Sequence, residues 1–283
     1  MTETTQSVGA LQQTRRLAMI IPREHGAWGL LLVPFFTGVA AGFNPEHRVW
    51  PLLLFLGASL SLFALRTPVE TLLGIGASSA RTAEEYWTAL VGSASYTAVA
   101  ITCLSALMWK GHYAALLVLG AASACALVMQ GVLRRLSRST RMISQVVGAI
   151  GLTSTAPAAY YIGTGRLDAR AFVLWIANWI FAGNQIHFVQ LRIHAARAIT
   201  FAEKLKKGKA FLVAQPVLLI ALVLGSQWHL LPALSSVAFV PAVVRGSQWF
   251  FQKPEPLDVK RLGWSELKHG LTFGLLLALA FLY

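Results

Sequence analysis

The sequence predicts an all-α membrane protein of about nine transmembrane helices, and three observations lead there. Of its 283 residues 56% are apolar and only 12% charged, with a mean hydropathy of +0.60; soluble domains carry roughly 25% charge. Apolar runs of roughly 15 to 23 residues recur along the chain, close to the ~20 that cross ~30 Å of hydrocarbon. Inside lipid a chain must satisfy its own backbone hydrogen bonds, which a helix does within one segment.

The spans follow in order. The first, 26–43, opens beside the charged stretch "PREH" and carries Pro34, which predicts a kink. The second, 50–65, stops at Arg66, because Pro68 removes a donor and disfavours helix at Thr67. The third and fourth, 86–108 and 113–133, are joined by a short turn at Lys110, and the fifth, 143–163, follows the basic stretch "LRRLSRSTRMISQ". The sixth, 171–189, runs into the polar "NQIHFVQLRIHAAR"; the seventh and eighth, 210–225 and 229–244, part at "SQWH"; and the ninth is 268–282.

Loop charge supports the split at "SQWH", since Lys and Arg collect in short cytoplasmic loops. Nine spans place 20 of the 24 Lys and Arg on one face, leaving Arg48, Lys110, Arg166 and Arg170 on the other. The N-terminus is then cytoplasmic and Tyr283 outside. Residues 1–20 are expected to form a disordered cytoplasmic arm, and 21–283 a single polytopic domain. No signal peptide is expected, because the first apolar run comes late and nothing resembles a cleavage site.

With that partition, the net charge of +13 is a topology signal and an attraction to anionic lipid headgroups. It does not indicate nucleic-acid binding, which needs a basic surface organised on a soluble fold. Cys103 and Cys125 fall within spans and form no redox or metal motif. Nothing in the sequence has the pattern of a Ser-His-Asp hydrolase, a zinc site or a P-loop.

The polar residues that the spans carry are the candidate site. Asn184, His187, Gln190, His194 and Arg197 recur at helical steps and put polar groups along one face. Such a row either lines a cavity or is the solvated end of an emerging helix. His187 and His194 are seven residues apart, roughly 10 Å along a helix, so one ion cannot bridge them. Arg134, Arg138 and Arg141, with Gln145 after them, satisfy the positive-inside rule; arginine's planar fork also makes them candidate anion clamps. Arg66 and Glu70 end the second span, and Glu70 either pairs with an arginine or is surface charge. At the first span, Pro22 and Glu24 suit a helix start. Arg23, His25 and Trp28 are candidates for the rim of an anion-binding mouth. Gly38 with Gly42, and Gly270 with Gly274, are small-xxx-small pairs that let backbones approach.

"IPREHGAWGLLLVPF", "AAYYIG", "NQIHFVQLRIHAAR" and "KRLGWSELKHGLTFGLLLALAF" resemble the YwiC-like family of bacterial membrane proteins. That family in turn resembles, more remotely, the UbiA superfamily of intramembrane prenyltransferases. The resemblance implies a bacterial inner membrane location and nine helices around a cavity open to the cytoplasm and to lipid. It also implies aspartate-rich motifs ending the second and sixth helices, whose carboxylates hold magnesium against a prenyl diphosphate. This sequence departs from that pattern, because its two aspartates, Asp168 and Asp258, lie at neither place. No cofactor is therefore expected, and magnesium lacks its carboxylate motifs.

A basic mouth can hold an anion without metal. Arg23, Arg66, Arg138, His187 and Arg192 are the expected holders of such a headgroup. Three functions stay open. One is a UbiA-like protein binding an anionic-headed isoprenoid or lipid-like substrate, as a degenerate or metal-independent prenyltransferase-type enzyme. Another is a transporter or permease, against which stands the expectation that no acid lies within a span. The last is a non-catalytic accessory protein that binds a lipid or quinone.

Overall fold

The computed structural model describes residues 17–22, 25–42, 49–74, 79–111, 113–136, 141–229, 231–253 and 255–282. Among them every regular element is a helix: α1 (His25–Gly42), α2 (Val49–Leu72), α3 (Ala83–Lys110), α4 (Ala115–Leu136), α5 (Arg141–Thr153), α6 (Thr155–Thr164), α7 (Ala169–His194), α8 (Phe201–Gln227), α9 (Ser235–Phe251) and α10 (Val259–Leu282). Six of these are long and apolar enough to cross a membrane, namely α2, α3, α4, α7, α8 and α10. Every stretch predicted as a span is helical over most of its length.

The boundaries differ from the sequence expectation in informative ways. Helix α2 runs through Pro68 to Leu72 and does not break at Thr67. The Thr71 hydroxyl donates to the Thr67 carbonyl at 2.9 Å, and Arg66 Nε meets Glu70 Oε1 at 2.9 Å one turn along. Helix α1 is likewise continuous across Pro34. The fifth predicted span is broken in two at Ser154, because Pro157 has no N–H to offer the Thr153 carbonyl. Hydroxyls bond carbonyls beside the break: Ser154 Oγ donates to the Gly151 carbonyl at 2.7 Å and Thr155 Oγ1 to the Leu152 carbonyl at 3.0 Å, while Thr155 Oγ1 also reaches the Leu31 carbonyl of α1 at 2.9 Å. Trp175 Nε1 adds a bond to the Ile150 carbonyl at 3.1 Å.

The chain forms two compact units. In the first, Met1–His25 with Val49–Tyr113, α2 and α3 pack side by side, with Gly57 facing Cys103 and Gly92 facing Ile20. Helix α3 starts at a Thr82 cap whose side chain accepts from the Glu85 N–H at 3.2 Å.

The second unit, Gly26–Arg48 with Ala114–Tyr283, holds the main core. Its centre is an aromatic cluster contributed by three helices. Phe181 of α7 stacks on Phe273 of α10 at 3.8 Å between centroids, and Phe239 of α9 meets Phe273 edge-on at 5.0 Å. Helix α1 reaches this core through glycines, as its small-xxx-small pair predicts. A Cβ on Gly38 would collide with the Ala156 carbonyl of α6, and one on Gly42 would lie 2.8 Å from the Tyr160 carbonyl. Gly165 ends α6 in the left-handed region at φ 75°, its N–H closing on the Tyr161 carbonyl at 2.7 Å.

Helices α8 and α9 are separate, as the split at "SQWH" predicts. Their join turns at His229, which takes φ 57°, and the two helices pack as an antiparallel pair. Helix α8 begins with a capping box: the Thr200 hydroxyl accepts from the Glu203 N–H, and the Glu203 carboxylate accepts from the Thr200 N–H. Thr200→Ala is expected to cost about 1 kcal/mol. The check is thermal unfolding in detergent, with Thr200→Ser recovering the loss.

Candidate functional site

The strongest concentration of buried polar groups lies within the second unit, where α7, α8, α9 and α10 converge. Helix α7 supplies one side of it at steps of three and four: Asn178, Phe181, Gln185, Phe188 and Arg192. Asn178 Nδ2 donates to Thr37 Oγ1 of α1 at 3.1 Å and to the Leu174 carbonyl at 2.9 Å. Asn184 Nδ2 donates to Gln215 Oε1 of α8 at 3.0 Å. Gln185 Nε2 donates to the Glu266 carbonyl of α10 at 2.8 Å.

At the heart of this region Arg245 of α9 meets Glu266 of α10, with Nη1 to Oε2 at 2.5 Å and side chains only 12% and 8% exposed. The Arg245 guanidinium also lies over the Phe188 ring, 4.2 Å from its centroid. The pair is incompletely satisfied. Arg245 Nε and Nη2 and Glu266 Oε1 are buried with no hydrogen-bond partner among the described residues, as are Asn178 Oδ1 and Asn184 Oδ1. Buried polar atoms are partnered in the great majority of cases, so these atoms are candidates to bond water or a ligand.

Two cavities lie in this region, and Glu266 lines one of them. The inner one, about 30 Å³, is lined by Asn178, Gln185 and Glu266 together with Gly26, Gly29 and Gly270. The outer one, about 40 Å³, is a basic mouth lined by Arg192, Lys204, Lys253, Glu255 and Trp249. Within it Lys204 is 3% exposed and donates to the Trp249 carbonyl at 3.1 Å and the Gln252 carbonyl at 2.7 Å. It thereby closes the negative end of α9. Arg192 and Lys204 both lie over the Trp249 ring, at 5.8 and 5.2 Å. The Arg192 guanidinium has no hydrogen-bonded acceptor among the described residues, and the nearby Glu255 leans instead toward Arg261, at 3.6 Å.

The structure gathers part of the candidate set read from the sequence. Gln190 Nε2 donates to Gln145 Oε1 at 2.9 Å, tying α7 to α5. Asn184 is buried, and His187 is half-buried with its ring edge-on to Phe211, 5.0 Å between centroids. Arg192 lines the mouth. His194 is exposed, its Nδ1 2.7 Å from the Gln190 carbonyl of its own helix, and Arg197 and Arg141 are exposed as well. The polar row therefore divides: its first members are buried and bonded, and its last are solvated. Trp28 is half-buried in α1. Arg66 belongs to the first unit and is engaged by Glu70, which decides between the two roles open to that acid. Arg23, Glu24 and Arg138 lie outside the described residues, as does the side chain of His25.

Sequence reasoning missed Arg245, Glu266, Lys204, Gln215 and Trp249. It ended the eighth span at Val244 and opened the ninth at Lys268, leaving Arg245 and Glu266 in a loop. The structure corrects these boundaries: both lie inside helices, and the helix of Glu266 is long and apolar enough to cross a membrane. The signal was present in "QKPEPLDVKR". Two prolines mark the true break, and Asp258 is a helix-start residue whose Oδ1 accepts from the N–H groups of Lys260 and Arg261.

Comparison with known proteins agrees with the resemblance read from the sequence. Residues 21–160 match the model of the YwiC-like protein family. The chain is also similar to the uncharacterised protein YwiC of Bacillus subtilis (strain 168), 25% identical over 256 residues, which is 90% of this chain and 95% of that protein. No solved structure matches.

Proposed function

We propose that this multi-pass helical protein, similar to the YwiC-like family over residues 21–160, binds in its basic mouth the anionic headgroup of an isoprenoid or other lipid-like molecule. The observation that carries this reading is Arg192: half-buried, stacked over Trp249, flanked by Lys204 and Lys253, and with no hydrogen-bonded acceptor of its own among the described residues. A guanidinium held in place by an aromatic face keeps its fork of donors free for phosphate or carboxylate. The positive-inside reading puts this mouth at the cytoplasmic surface, with the N-terminus on the same side and nine crossings. The remote UbiA-like resemblance supplies the class of substrate, and the scarcity of aspartate supports charge neutralisation by cations of the chain without magnesium.

A second reading has one observation in its favour. Ionisable side chains inside membrane helices are costly and mark substrate or ion paths; Glu266 lies in α10, which is long and apolar enough to cross, so its pair with Arg245 also suits a permease.

The test is the affinity of the nanodisc-embedded protein for an isoprenyl diphosphate, with and without a chelator. Binding is expected to survive chelation. Arg192→Gln is expected to weaken it about 10- to 100-fold, the equivalent of one charge-assisted hydrogen bond. Arg192 bonds to no protein acceptor, so the same variant should lose only its contact with Trp249 and lower the melting temperature slightly. Affinity that depends on magnesium, or that ignores Arg192, would contradict the reading.

A further inference from the structure

Glu266 lines the inner cavity, and Arg245 lies one turn along α9 from Trp249, which lines the mouth. Along α7 the order is Arg192 at the mouth, then Phe188 under Arg245, then Gln185 and Asn178 at the inner cavity. At 1.5 Å per residue, Arg192 to Asn178 covers roughly 21 Å. Helix α9 repeats the order with Trp249 at the mouth and Arg245 beneath it, and α10 places Glu266 on the inner cavity. Rings link the two cations: Arg192 lies over Trp249, Trp249 meets Phe188 edge-on at 6.4 Å, and Phe188 lies under Arg245.

The inner cavity is the right size for water. Its roughly 30 Å³ holds about two molecules, and polar groups to receive them are present in Glu266, Asn178 and Gln185. Glu266 Oε1 and Asn178 Oδ1 are both unpartnered acceptors, which suits donors such as water or a carboxyl proton. On the other side of the pair, Arg245 keeps two unpartnered nitrogens. The charged groups around Glu266 are Arg245 from α9, Arg192 from α7 and His269 from its own helix. The lining that α1 supplies, between Gly26 and Pro34, has no titratable group.

We infer that Arg245 and Glu266 form a proton-coupled inner subsite, in which an anion at the mouth competes with Glu266 for Arg245. The guanidinium exchanges its bond to the carboxylate for bonds to the bound anion. Glu266, left without its counter-charge, takes one proton from the water of the inner cavity, and solvent replaces that proton. One anion and one proton are thus bound together, and the charge of the region is conserved.

This inference rests on the mouth binding anions, and its test separates the two. The probe is an alkyl sulfonate, whose own charge is constant across the range, offered to the nanodisc-embedded protein between pH 5.5 and 8. Affinity is expected to rise as pH falls, by up to ~10-fold per unit, the limit for one linked proton. Direct measurement of proton uptake in weak buffer, on the unaltered protein, is expected to give uptake approaching one proton per anion. In Glu266→Gln the slope should vanish, with affinity at pH 8 at or above that of the unaltered protein, because Arg245 no longer has a competing carboxylate.

Binding that Arg192→Gln abolishes but that shows neither slope nor proton uptake would overturn the coupling and leave the mouth standing. A slope that persists in Glu266→Gln would assign the proton to His187, His194 or His269 and would also overturn it. No binding at all would overturn both readings.

Discussion

Glu266→Ala is expected to lower the stability of the protein by about 3 to 5 kcal/mol, because it leaves the Arg245 guanidinium buried without a counter-charge. The carboxylate is only 8% exposed, and Arg245 itself 12%. The effect is a property of the pair and not of the acid alone. Replacing both partners with apolar residues, as in Arg245→Met with Glu266→Leu, removes the desolvated charges together and should recover most of the loss. Thermal unfolding in detergent of the two single variants and the double variant measures the coupling. A double variant no more stable than Glu266→Ala would show that the pair is not the isolated unit described above. The double variant would also lose any proton linkage, so stability and coupling can be scored on the same preparations.

Gly38→Val is the second large effect. A Cβ there would collide with backbone, the Ala156 carbonyl of α6, and not with a side chain that can turn aside. Relief requires α1 to separate from α6, which would also disturb Gly42 against Tyr160 one turn away. Overpacking of this kind costs about 1 to 3 kcal/mol, and the upper end is expected because the obstacle is main chain. Helix α1 also walls the inner cavity through Gly26, Gly29 and Pro34, so the variant should weaken proton uptake even where it folds. Gly131→Ala on α4 is the control: nothing lies within 4 Å of a Cβ there, and the substitution should be neutral or slightly stabilising.

How much of this was legible in the sequence differs from element to element, for physical reasons. Apolar length located the helices, and small-residue spacing located the contact of α1 with α6. Loop charge separated α8 from α9. The ends of helices were harder, because a membrane helix continues past its apolar stretch wherever other helices cover its polar residues. Arg245 and Glu266 each resemble loop charge in isolation, and only their partnership across α9 and α10 makes helix tolerable there. Pro68 misled in the same way: a proline removes one bond, and a helix held by its neighbours persists through it.

For the candidate site, the row read from the sequence lies on α7, the helix that also carries Asn178, Gln185 and Arg192 of the buried polar cluster. Periodicity gives a face but not a partner. Asn184 needed Gln215, Gln190 needed Gln145, and Arg192 needed Trp249, and no local pattern in a sequence announces those pairs. Lys204 was counted as loop charge, whereas burial against the α9 carbonyls makes it part of the mouth.

The most direct test of anion binding at the mouth is native mass spectrometry of the purified protein in the presence of isoprenyl diphosphates, with and without chelator, alongside Arg192→Gln. The expected result is a bound diphosphate, or a co-purified anionic lipid that the diphosphate displaces, retained after chelation and much reduced in the variant. A protein that retains only bulk phospholipid, unchanged by the diphosphate and by the loss of Arg192, would contradict it.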